Sequence, residues 1–89
     1  MHTRNASLLE SVEQSVNSER ILEIASELVS IPSPTLSAGA VADKLAQILT
    51  KHGLPVERPV ADWPEAPAVI TRLDSDQPGP VLQFDGHLD

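Results

Sequence analysis

Apolar positions in the first third of the chain recur at helical spacing. Leu8, Val12 and Val16 lie four residues apart, and Ile21, Ile24, Ala25 and Leu28 form a second stripe. At about 100° per residue the two stripes point nearly opposite ways, so one straight helix cannot bury both against a single surface. Asn17 and Ser18 are both good N-cap residues, which places a break there and the stronger helix over 18–30. Ser7 and Glu10 fit a capping box, in which each satisfies the other's free backbone donor. Residues 1–17 are then an N-terminal extension or short helix. Ile31-Pro32-Ser33-Pro34 ends the helix before it, because the residue ahead of a proline is pushed out of the α region.

A second helix is expected over 37–52, with Val41, Leu45, Ile48 and Leu49 on its apolar face. Ala38, Ala42 and Ala46 allow close packing. Lys51 and His52 suit the negative end of the helix dipole, and Gly53 suits the left-handed position that follows a helix. Capping is the plainer role for His52, and His2 belongs to a fraying terminus.

Beyond Gly53 the period changes. Residues 54–60 carry Pro55 and Pro59 and make at best an edge strand. Residues 61–67 read as a loop, with Trp63 anchoring it more plausibly than lining a pocket. Residues 68–73 read as a strand, 74–80 as a turn and 81–84 as a second strand, with Leu82 and Phe84 on one face. Helices followed by strands predict an α/β or α+β unit, with the two helices packed on adjacent strands of a sheet.

Composition narrows the setting. Six basic against 13 acidic residues give a net charge of −7, which repels phosphate backbones and anionic lipid; nucleic acid and membrane are poor partners. The absence of cysteine removes disulfides, thiolate metal sites and thiol nucleophiles. The start of the chain lacks the apolar run of a secretory signal, so a cytoplasmic location is expected. Only 2% of residues are aromatic, so the core these 89 residues can build alone is thin.

The candidate chemistry lies at Val81-Leu82-Gln83-Phe84-Asp85-Gly86-His87-Leu88-Asp89. Ligand-binding groups in open α/β sheets sit just past the carboxyl ends of strands. Gly86 would let the chain approach a ligand closely. His87 offers a neutral imidazole, the commonest protein metal ligand. Asp89, two residues on, reaches the same side of an extended backbone. There it can accept the other ring N–H, fixing the tautomer and raising the basicity of the metal-bound nitrogen. An exposed turn with both side chains solvated is the alternative, since one histidine does not hold zinc. Two weaker signals fall away. Asp74 to Asp85 half-matches a calcium loop, but Pro78 occupies a ligand position and strands are expected to flank it. No motif sets a base beside Ser33 or Ser37.

Two stretches together resemble the M20 metallopeptidase family, which includes acetylornithine deacetylases, succinyl-diaminopimelate desuccinylases and carboxypeptidase G2-like enzymes. Glu27-Leu28-Val29-Ser30-Ile31-Pro32-Ser33-Pro34 looks like that family's first helix running into its Ile-Pro-Ser loop. Residues 81–89 look like the strand ending in its Gly-His-x-Asp motif. The resemblance implies that His87 ligates one of two zinc ions, for which cobalt can substitute, and that Asp89 orients His87. It implies a metal-bridging water that cleaves an amide or peptide bond of a small N-acyl amino acid or peptide substrate. The family's bridging Asp, Glu pair and later ligands have no counterpart here. Residues 18–89 are therefore expected to be the amino-terminal part of a truncated, zinc-exopeptidase-like catalytic domain with a mixed sheet, inactive alone, and any homodimer would form through a domain missing here. Against this deacylase or exopeptidase portion stand a non-catalytic binding or scaffolding remnant, and a small α/β domain whose His-x-Asp is accidental.

Overall fold

The computed structural model describes residues 2–59, 64–65 and 67–89, with side chains from Ala6 onward. Three helices lie in the order α1 (His2–Ser15), α2 (Ser18–Val29) and α3 (Gly39–Lys51). The break between the first two falls where the sequence placed it. Asn17 is extended (φ −114°, ψ 102°), and its side chain accepts the Arg20 N–H at 3.0 Å, satisfying an orphan donor of α2. The capping box does not form: α1 already runs from His2, so Ser7 and Glu10 sit inside a helix whose start is upstream of both. His2 is correspondingly the first helical residue. Trp63 and the end of the 54–60 segment lie outside the described residues.

α3 starts at Gly39, two residues later than its pattern suggests, after Ala38 and without a side-chain cap. Its other end is fully specified. Gly53 takes φ +78°, the Leu54 N–H donates to the Leu49 carbonyl at 3.0 Å, and the Gly53 N–H donates to Thr50 at 3.0 Å. That double bond is a Schellman closure, and half-buried Leu54 and Leu49 supply its apolar contact. His52 closes the helix through its backbone N–H, not its ring.

α2 and α3 pack on one another, and they are the only helices to do so among the described residues. The core is one face of α3: Ala38, Val41, Ala42 and Ile48 are buried, flanked by half-buried Ile24 and Leu28 of α2. The later chain folds back over this helix. A Cβ on Gly39 would stand 3.7 Å from the Glu65 carbonyl oxygen, and Arg58 donates to Asp43 at 3.0 Å. The described side chains of α1 contribute nothing to the core: Leu8 and Val12 stay more than half exposed, as does Val16 just past its end.

The expected α/β sheet is absent. Among the described residues no strand forms, and pairing is confined to one antiparallel bridge between Glu57 and Ile70, with N···O distances of 2.7 and 2.9 Å. Pro55 and Pro59 remove donors on either side of Glu57, which stops the ladder from growing. Thr71 Oγ1 donates to the Pro55 carbonyl at 2.6 Å and Arg72 pairs with Glu57 at 3.3 Å, pinning the bridge from its flanks. Residues 81–84 are not the partner of 68–73: Val81 is 92% and Phe84 88% exposed. Alternation of side chains makes a segment extended, but a strand also needs a neighbour for its backbone groups. The radius of gyration, 16.1 Å, exceeds the roughly 12 Å of a compact domain of this length, consistent with so small a core.

A core this small leaves little margin. Val41→Ala removes a buried side chain and is expected to cost on the order of 1–3 kcal/mol. Val29→Ala, at a residue 83% exposed, stays within about 0.5 kcal/mol. Urea unfolding followed by helical circular dichroism checks both; equal midpoints would refute the assignment of the core to α3.

Candidate metal centre

The segment that carries His87 and Asp89 forms neither helix nor strand, so the sheet that was expected to position it is absent. Its polar contacts among the described residues join side chains two residues apart. Gln83 Nε2 donates to both carboxylate oxygens of Asp85, at 3.1 and 3.4 Å. His87 Nδ1 lies 3.4 Å from Asp89 Oδ1. This is ion-pair range, longer than the usual hydrogen bond. The His87 side chain is 93% exposed and that of Asp89 32%, with Leu88 between them half-buried. Nδ1 of the imidazole thus faces the carboxylate, while the ring as a whole is open to solvent.

The other candidate residues do not join this pair. Among the described residues no three His, Cys, Asp or Glu side chains are grouped so as to hold a metal ion. His52 caps α3 far along the chain. Asp74, the start of the half-matched calcium loop, instead accepts the Asp76 N–H at 2.8 Å in a polar turn where Asp76 takes φ +58°. Ser33 is half-buried and Ser37 exposed, and no described His, Asp or Glu hydrogen-bonds to either hydroxyl. A Cβ on Gly86 would meet nothing within 4 Å, so the close approach expected of that glycine is not used within this chain. Sequence reasoning missed the Arg58–Asp43 and Lys44–Glu27 pairs that tie segments together, for nothing local to either residue signals a partner 15 or more positions away.

Comparison with known proteins relates the chain to deacylating hydrolases. It is 39% identical over 71 residues to a succinyl-diaminopimelate desuccinylase of Methylorubrum populi, covering 76% of this chain and 18% of that protein. The same enzyme name attaches to a Methylorubrum extorquens protein, 38% identical over 71 residues, and to one of Methylobacterium radiotolerans, 35% identical over 71 residues. In each case 76% of this chain and 18% of the relative are covered. The chain thus spans less than a fifth of the length of these curated relatives. No family model and no solved structure matches it. Among the described residues no helix is long and apolar enough to cross a membrane.

With one imidazole and a neighbouring carboxylate, these 89 residues should bind zinc weakly. Titration followed by His87 ring nitrogen shifts is expected to show gradual movement with no plateau at one equivalent of zinc. Stoichiometric saturation would mean that further ligands are already assembled here.

Proposed function

We propose that residues 18–89 are the amino-terminal portion of the catalytic domain of a zinc-dependent M20-type deacylase, with His87 a metal ligand and Asp89 its orienting carboxylate. The whole protein, on this reading, removes an acyl group from a small N-acyl amino acid by hydrolysing its amide bond. What carries the proposal is the His87–Asp89 pair, 3.4 Å apart with Nε2 unencumbered, in a chain 39% identical over 71 residues to a desuccinylase.

The donor set fits zinc as one corner of a site. Zinc takes four nitrogen, sulfur or oxygen ligands, and a ligating histidine commonly gives its second ring N–H to a carboxylate. His87 and Asp89 supply that much; the proposal assigns the other ligands and the general base to other parts of the whole protein. When bound, the metal polarises the acyl carbonyl and makes water acidic enough to attack near neutral pH. The work of this chain's own residues is narrower. Asp89 holds the Nδ1 proton of His87, and so keeps Nε2 an acceptor and sets the plane of the ring. Without a general base within reach of a reacting water, the 89 residues alone are expected to hydrolyse nothing.

Two measurements test this. In the whole protein, His87→Ala should abolish hydrolysis of N-succinyl amino acids and lower the metal content. Asp89→Asn should cost roughly 10–100-fold in metal affinity or activity, with the fold retained. An Asp89→Asn enzyme with unchanged zinc affinity and rate would remove Asp89 from the site. Separately, the isolated chain with zinc or cobalt should show no amidase activity; turnover that disappears on His87→Ala would overturn the assignment of the base and remaining ligands to residues elsewhere.

A further inference from the structure

The five basic side chains described beyond Ala6 divide in an informative way. Lys44, Arg58 and Arg72 each face a carboxylate: Glu27 at 3.9 Å, Asp43 at 3.0 Å and Glu57 at 3.3 Å. Arg20 and Lys51 face none, although acidic side chains outnumber basic ones 13 to 6 in the sequence. Both unpaired cations line the same cleft, of about 310 Å³, between α2 and α3. The helices bring them there from opposite directions: Arg20 sits in the first turn of α2, and Lys51 is the last residue of α3. His52 lines the cleft beside Lys51.

The floor of the cleft is apolar, made by half-buried Ile24 and buried Ile48. Its volume is at the lower end of small-molecule sites, which run from about 300 Å³. Two carboxylates also line it. Glu27 is offset by Lys44, which leaves Arg20 and Lys51 against Glu23 alone, an excess of one positive charge. A cationic rim over an aliphatic floor, in a chain whose net charge is −7, selects a particular kind of guest. It needs an anionic end for Arg20 or Lys51 and a short hydrocarbon stem for the isoleucines. We propose that this cleft binds a short aliphatic carboxylate at a site separate from His87 and independent of its metal role.

The test is titration of isotope-labelled protein with glutarate at constant ionic strength, following the Arg20 guanidinium and the Lys51 and His52 amides. Saturable shifts are expected, weakened at least tenfold by Arg20→Gln combined with Lys51→Gln and unaffected by Arg72→Gln. Circular dichroism should show the helices kept in the double variant; if they are lost, Lys51→Gln alone should still weaken binding. Shifts that grow linearly and match those from chloride would overturn the proposal. So would saturable binding of undiminished strength in the variants, or equal loss on Arg72→Gln. Sulfate binding as tightly as glutarate would overturn the role of the apolar floor.

Discussion

The tertiary packing of the described residues depends on the burial of one face of α3. Val41 and Ala42 are 2% and 0% exposed, and no other described residue matches them. α2 packs against this helix, and the 64–65 turn comes close to its start, where a Cβ on Gly39 would stand 3.7 Å from the Glu65 carbonyl oxygen. The polar links are secondary and peripheral. Arg58–Asp43 and Lys44–Glu27 join the same bodies at the surface, where ion pairs contribute about 0–1 kcal/mol. Among the described residues no polar side chain is buried, so the core they form carries no desolvation cost of that kind.

The helices were legible because their ends are written in local chemistry. Asn17 caps α2 through its own side chain, and Gly53 adopts the left-handed turn that closes α3. Both effects act within four or five residues. The misplaced capping box at Ser7 shows the limit of such signals, since a residue able to cap is equally able to sit mid-helix. Strand content failed for a different reason. The alternation at 81–84 expresses a preference for an extended backbone, but pairing depends on a distant segment with free donors and acceptors. The prolines around Glu57 leave room for one bridge. Of the candidate site, the His87–Asp89 proximity was readable because it needs only a two-residue repeat. The cationic rim of the helical cleft was not: Arg20 and Lys51 are 31 positions apart, and only the packing of α2 on α3 places them on one cleft.

The two sites differ in how they are held. Arg20 and Lys51 are exposed side chains on helices that pack on one another, so the packing sets where their backbones stand. His87 and Asp89 lie on unpaired chain, and their mutual orientation rests on a single exposed contact. The His87 side chain is 93% exposed, so among the described residues little besides Asp89 constrains its ring.

That same unpaired chain has a consequence for handling the polypeptide in bulk. Val81-Leu82-Gln83-Phe84 presents open backbone donors and acceptors beside large, solvated apolar groups, the combination that templates cross-chain β assembly. The flanks of the stretch are gatekeepers. Pro80 deprives an incoming strand of one donor, and Asp85 places a charge at the far edge. With four residues between those two guards, self-association is held to a short register, and the acidity of the chain as a whole adds repulsion between copies.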